Sequence, residues 1–524
     1  MRRITTPLLL VLLPLGLFLA FFHPTTLQVG NAGWLIRGSD NGENALGAHA
    51  YWHDRSAGGS LKTILVNAPE GVPILYTDSN PLVTLAAKPF ATLLPDDAQL
   101  VGPFVLLSLI LQAFFAWLLL RRHAPGRVAL WAGVMLLAFP PTLANRFVHV
   151  NLMAHWTILA ALCLFLDADR SRRLAWWAPL IAVTALIHSY LLIMVGAIWA
   201  SAMLMRFTGG SRQTRLATLG QAVAILSLVA ALAWWLGIGD QIPAGNFGAF
   251  SMPLDALWNP GIGNFSNLLP AHEKSPGRGF EGFQYLGAGG LLLTALAVVV
   301  AVYRPAREGE RAVGQRLRGL VPALVVLTIL AVAHMHLPPL ALALLDPVRA
   351  SGRLFWPVGY VLVFMAVLSV FRLSAERAAL VLIAVVAVQV IDLAGMADAI
   401  RAQSREADRH QLYARTLDPR WNRLIGLSRS IAFMPGDVTH DLDVFQEVAW
   451  RATDAGRPVA NVYAARTSRT TTRRLETEAA TFARGELVPG RLYVVPAGAP
   501  MPAAARSRRL TLDGVDLVAP FPTR

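Results

Sequence analysis

Apolar runs of near-bilayer length recur eleven times in this 524-residue sequence, at about 6–22, 101–120, 128–145, 150–166, 174–189, 190–205, 217–238, 284–303, 320–337, 354–371 and 378–395. A helix needs roughly 17–25 apolar residues to cross a hydrocarbon core, and in lipid a helix satisfies its backbone polar groups internally. The expected fold is therefore mainly α, a polytopic transmembrane helical bundle of about eleven spans. The fifth and sixth runs abut, with His188-Ser189 as the turn between them. The first run follows Met1-Arg2-Arg3 and is longer than the apolar region of a usual signal peptide. No small-x-small cleavage site follows Phe22-His23-Pro24, so this run is read as a retained anchor.

Charge fixes the expected orientation. Only 15% of residues are charged, against about a quarter in soluble domains, and 46 basic residues face 32 acidic ones. With the N-terminus inside, the short connectors 1–5, 121–127, 167–173, 206–216, 304–319 and 372–377 become cytoplasmic, and they hold 18 arginines. The opposite loops are much longer yet hold six arginines and three lysines. This is the positive-inside pattern. It assigns the basic pI to topology, and no nucleic-acid partner is expected. An odd number of spans then places the C-terminal segment outside. In a Gram-negative bacterium that means a multi-pass inner (cytoplasmic) membrane protein whose active face is periplasmic.

The sequence divides into a transmembrane module, 1–395, with long outer loops at 23–100 and 239–283, and an extracytoplasmic α/β domain at 396–524. Within the tail, a helical stretch is expected at 441–453, a strand at Val459–Tyr463 and a helix near Leu475–Ala483. Strands are expected at Arg491–Val495 and Leu510–Val518, with Thr467–Arg474 as a solvated loop. The one cysteine, Cys163, lies in an apolar run, which excludes intrachain disulfides and cysteine-based metal sites.

The first ten runs contain no interior Asp, Glu, Lys or Arg, and Asp392 sits near the outer end of the last. Ion-coupled transporters usually carry such charges within their spans. Walker-type loops and His-Glu-x-x-His are also absent, which argues against an ATP-driven pump and an intramembrane zinc protease. Polar groups gather instead in the outer loops. Asp40 and Glu43 stand three apart in Gly38–Trp52 and would share a helical face. Asp78 lies in Thr77-Asp78-Ser79-Asn80-Pro81-Leu82. A carboxylate beside the membrane surface can act as a general base toward a hydroxyl, although Asp40 and Asp78 also suit helix caps and turns.

Three further segments carry candidate groups. Arg146 and His149 lie in Arg146–Asn151, with His155-Trp156 a turn later, and His188 lies between two runs. Histidines at span ends can also simply satisfy backbone groups. The 239–283 loop ends in Glu281-Gly282-Phe283-Gln284-Tyr285-Leu286-Gly287. Arg349 and Arg353 lie in Asp346–Pro357, four apart, so that they would project from one helical side. Guanidinium forks suit phosphate oxygens; the plainer reading is an Arg349–Asp346 ion pair with snorkelling to headgroups.

With a first run, an acidic outer loop, many further runs and a C-terminal outer domain, residues 1–395 resemble the GT-C superfamily of integral-membrane glycosyltransferases. More narrowly, the chain looks like a bacterial polytopic membrane family sharing five ordered segments. They stand in this sequence as Asp40 with Trp52, Thr77–Leu82, Arg146–Leu152, Glu281–Gly287 and Arg349–Pro357. The resemblance implies an inverting transfer of a hexosyl or pentosyl group from a polyprenyl-phosphate-linked donor to a hydroxyl of a glycan, lipid or protein acceptor, among membrane lipids. It implies Asp40 as the base, with Asp78 second to it, and Arg349 and Arg353 on the leaving phosphate. Glu43, Arg146, His149, His188, Glu281 and Tyr285 are the remaining substrate-binding candidates. Superfamily members with paired adjacent acids differ from Asp40-Asn41, so neither an obligatory metal nor a cofactor is expected. The alternatives are a lipid-linked-sugar flippase or exporter and a non-catalytic envelope assembly protein.

Overall fold

A computed structural model describes residues 5–57, 60–239, 242, 247–261, 263, 265–272, 278–333, 345 and 348–519. The chain is mainly helical, and its residues group into two compact units. The first unit comprises 1–22, 105–230 and 243–403; the second comprises 23–104, 231–242 and 404–524.

Each apolar run carries a helix: Thr5–Phe21, Val101–Leu120, Arg127–Ala138, Trp156–Leu166, Leu174–Ile187, Ser189–Thr208, Arg212–Trp235, Gly287–Tyr303, Val321–Val332, Trp356–Val370 and Ala375–Asp392. By length and composition, five helical stretches among the described residues are sufficient to cross a membrane, or up to seven when each bent pair is one span. The five are Val101–Leu120, Arg127–Val148, Ser189–Thr208, Arg212–Trp235 and Ser351–Val370. These features are consistent with a helical membrane protein.

Within the first unit the Gly287–Tyr303 helix packs against both Trp356–Val370 and Ala375–Asp392. Small residues permit that approach, as they do where apolar helices meet without a hydrophobic driving force. A Cβ on Gly289 would stand 2.5 Å from the Val385 carbonyl oxygen. Asp392, the one acid inside a run, is fully buried. It accepts from the Tyr285 hydroxyl and the Ala288 amide, both at 2.8 Å, and from the Ser266 hydroxyl. It thereby fixes the start of the Gly287–Tyr303 helix. At the other helix ends, the connector arginines cover orphan carbonyls: Arg206 donates to Arg172 O at 2.9 Å and Arg372 to Arg304 O at 2.7 Å.

The second unit joins the 23–104 segment to the C-terminal segment. Its four-stranded sheet has the order Ser430–Phe433, Arg491–Val495, Val515–Val518, Arg509–Leu512, with the first pair parallel and the other two antiparallel. The Asp40–His53 helix, capped by Ser39 (Gly42 N to Ser39 Oγ, 3.1 Å), lies along the Leu442–Asp454 helix. Gly42 allows the close approach, since a Cβ there would collide with Gln446 Oε1 and with the Leu35 carbonyl oxygen.

Three tail expectations need correction. The stretch read as a solvated loop, Thr467–Arg474, is mostly the beginning of the Arg469–Ala483 helix, capped by Ser468. Its polar sequence conceals a narrow buried face containing Thr471 and Phe482. Val459–Tyr463 forms no strand; Val459 makes isolated bridges to Val66 and Ile431. Leu510–Val518 is not one strand but a hairpin, because Asp513 and Gly514 take φ of 48° and 80°, the left-handed pair that a tight two-residue turn requires.

Candidate functional site

The second unit holds the acidic candidates of the first outer loop, Asp40, Glu43 and Asp78. Asp40 is the first residue of its helix, where the helix dipole favours a carboxylate, and the Tyr463 hydroxyl donates to its Oδ1 at 2.9 Å. Glu43, one turn later, is buried, and neither carboxyl oxygen has a hydrogen-bond partner among the described residues. Burial, with the charge of Asp40 adding to it, pushes the Glu43 carboxyl well above the usual carboxylate range. The Thr77–Leu82 segment docks on the same helix: Asn44 Nδ2 donates to the Asp78 carbonyl oxygen. Gly47 makes room for this turn, since a Cβ would collide with the Thr77 and Ser79 hydroxyls. Asp78 takes φ of 54° and Asn80 caps the Pro81–Ala87 helix, its Oδ1 accepting from Val83 N at 3.4 Å.

A proton retained on Glu43 ties stability to pH with a definite sign. The unfolded chain releases this proton near 4.5, whereas the folded protein keeps it. The stability it supports is full below that value and is lost as pH rises toward the raised folded value. Glu43→Gln keeps the shape and removes the titration. It should melt above the parent protein at pH 8 and level with it at pH 4 in matched detergent melts. Equal melting at both pH values would mean that the carboxyl is not held neutral.

The first unit gathers the cationic candidates around one carboxylate. Glu281 receives Arg353 through Nε at 2.8 Å and Nη2 at 2.7 Å, and Arg146 through Nη1 at 2.8 Å. His149 Nε2 stands 3.4 Å from its Oε1. Arg146 and Arg353 are buried at 1% and 8% side-chain exposure and Glu281 at 13%, so this is an interior ion cluster. Burial alone would raise the Glu281 carboxyl, but the fields of Arg353 and Arg146 and the hydrogen bond from His149 outweigh it. They hold the carboxyl far below its usual range.

Local backbone explains how the cluster forms. Arg146 Nη2 and Asn145 Nδ2 both donate to the Phe280 carbonyl, at 2.8 and 3.1 Å. The Arg349–Arg353 segment passes so close to Glu281-Gly282 that a Cβ on Gly352 would stand 2.6 Å from Gly282 Cα. Arg353 lies 4.9 Å over the Tyr190 ring, and His188 caps the Ser189–Thr208 helix beside it by accepting from Tyr190 N at 3.1 Å.

Two candidates are not brought into this cluster. Tyr285 is turned to Asp392. Arg349 does not share a helical side with Arg353: it is exposed, precedes the helical turn at Ser351–Phe355, and lies 5.1 Å over the Phe250 ring. Its suggested partner Asp346 lies outside the described residues. Neither the Phe280 carbonyl nor Tyr463, which is 423 positions from Asp40, is marked by a sequence signal.

An apolar cleft in the same unit is lined by Tyr285, Leu293, Trp356, Tyr360, Val363 and Gln389, among others. Trp356 connects it to the ion cluster, with the Arg146 guanidinium 5.9 Å over its ring. Behind Trp356, Tyr360 bonds His155 Nδ1 at 2.9 Å and accepts from Gln112 at 2.8 Å.

The helices and their apolar lengths place the chain in the class of helical proteins suited to a membrane. A family model described as a domain of unknown function, DUF6311, matches residues 11–394, and the model of the DUF6311 C-terminal domain matches residues 420–520. The chain belongs to the DUF6311 family. No curated protein and no solved structure matches it.

Proposed function

We propose that this protein is a membrane glycosyltransferase that moves a sugar from a polyprenyl phosphate to an acceptor hydroxyl at the outer face of the inner membrane. In this reading all eleven apolar helices are membrane segments, the N-terminus is inside, and both the 23–104 segment and the tail are outside. The observation that carries it is the Asp40 carboxylate, which begins a helix soon after the first apolar run, is held by Tyr463, and has the buried Glu43 one turn behind it. Asp40 takes the proton from the acceptor oxygen as that oxygen attacks the anomeric carbon. The bond from that carbon to the phosphate oxygen breaks with inversion, and polyprenyl phosphate leaves.

Donor recognition is assigned to the first unit. Arg353 and Arg146 spend their forks on Glu281, so their part is to brace the loop and supply surplus positive charge. Of the two arginines expected on the leaving phosphate, the exposed Arg349 is the one left to contact it. The test is a mass-spectrometric comparison of surface glycans and lipid-linked sugars from cells with and without the protein. Loss of one glycan residue together with accumulation of its polyprenyl-linked donor is the expected result. Unchanged profiles in both pools would contradict the reading.

A further inference from the structure

The helix that begins with Asp40 ends in a second group of chemistry-bearing side chains, separate from the proposed reaction. His49 and His53 are four apart and share a face of the Asp40–His53 helix. Asp454 is the last residue of the neighbouring Leu442–Asp454 helix. One ligand atom from each of the three lies within 4.8 Å of the others.

The arrangement has the parts of a coordination site. His49 is fully buried and stacked on Trp450, with ring centroids 3.9 Å apart and planes 13° apart, so its ring orientation is fixed. Its Nε2 points at Asp454 Oδ1, 2.7 Å away. Its Nδ1 has no hydrogen-bond partner among the described residues. His53 stands over His49 with centroids 4.1 Å apart, and with Nδ1 donating to the His49 carbonyl at 3.0 Å its Nε2 keeps a lone pair. His53 and Asp454 are exposed, leaving a path for an ion and for water as a further ligand.

We infer that His49, His53 and Asp454 bind one divalent transition-metal ion that clamps the end of the Asp40–His53 helix to the end of the Leu442–Asp454 helix. Two imidazoles and one carboxylate suit zinc or a neighbouring first-row ion. Two ligands about 2.0–2.1 Å from a tetrahedral ion lie ~3.3 Å apart, so Asp454 has to retreat slightly, and its exposed position permits that. The far end of this helix pair is already joined without metal: Gln446 donates to Ser39 O at 2.8 Å and accepts from Gly38 N at 3.0 Å. Nine residues of helix, ~13 Å at 1.5 Å per residue, separate His49 from Asp40. The ion is therefore a structural clamp and takes no part at the Asp40 carboxylate.

The test uses the full-length protein in detergent, with any affinity tag removed and bound metal stripped by chelator. Titration with Co2+ should give visible d–d bands saturating at one ion per chain, and Zn2+ should abolish them and raise the melting temperature. His53→Ala and Asp454→Ala, both at exposed positions, should weaken Co2+ binding by about 10- to 100-fold or more, a range that groups merely orienting a metal ligand already reach. Asp40→Asn should bind as the parent does. Absence of saturable Co2+ binding, or binding unchanged in His53→Ala protein of normal circular dichroism, would overturn the inference.

Discussion

Glu281→Gln is expected to cost roughly 3–5 kcal/mol of stability, the range for removing one partner of a buried ion pair. The amide keeps the shape but leaves two buried guanidinium groups, Arg146 and Arg353, facing each other without a counter-charge. Three charge-assisted hydrogen bonds of 2.7–2.8 Å are weakened together. Loss of the carboxylate also frees the Phe280–Glu281 turn from the Arg349–Arg353 segment. Denaturant or thermal unfolding in detergent measures the effect. Its pH dependence runs opposite to that expected for Glu43. The folded carboxyl lies below the unfolded value of 4.5, so its contribution is full above that value and is lost as pH falls toward the folded one. The gap between parent and Glu281→Gln should therefore be constant at neutral pH and narrow in acid. A cost under about 1 kcal/mol, the worth of an exposed pair, would show that water screens the cluster.

How much of this was legible in the sequence depended on the range of the interaction. Apolar periodicity is local, and each of the eleven runs carries a helix. Arg146, Glu281 and Arg353 each stand out in the sequence, because a charge beside an apolar run is conspicuous. That they meet was not legible, since Arg146 and Glu281 are 135 positions apart and Glu281 and Arg353 are 72 apart. The arginine fork was expected to face a phosphate and instead faces a carboxylate. Residue type specifies a planar anion and leaves open which one. The union of the 23–104 segment with the tail was likewise hidden. It rests on pairings such as Gly38 with Gln446 and Asn67 with Thr471, 408 and 404 positions apart, which leave no periodic trace. In the tail, the Asp513-Gly514 dipeptide is a strong hairpin signal that the apolar residues on either side mask.

Asp40→Asn carries the largest expected effect on activity. The amide preserves the helix start and can still accept from Tyr463, but it cannot take a proton. General-base assistance contributes about 10²–10⁴-fold, so transfer should fall by that factor with expression and melting unchanged. Asp78→Asn, at a position built into a turn, is the comparison that separates loss of a base from a general disturbance of the acidic loop.

The decisive measurement is the turnover of a synthetic polyprenyl-phosphate sugar by the purified protein reconstituted in sealed lipid vesicles, with an extract of envelope glycans as acceptor. The account predicts release of free polyprenyl phosphate with sugar appearing on the acceptor, and a fall of about 10²-fold or more in Asp40→Asn protein. Transfer at the parent rate by Asp40→Asn protein, or movement of the intact donor across the bilayer with no sugar transferred, would contradict it.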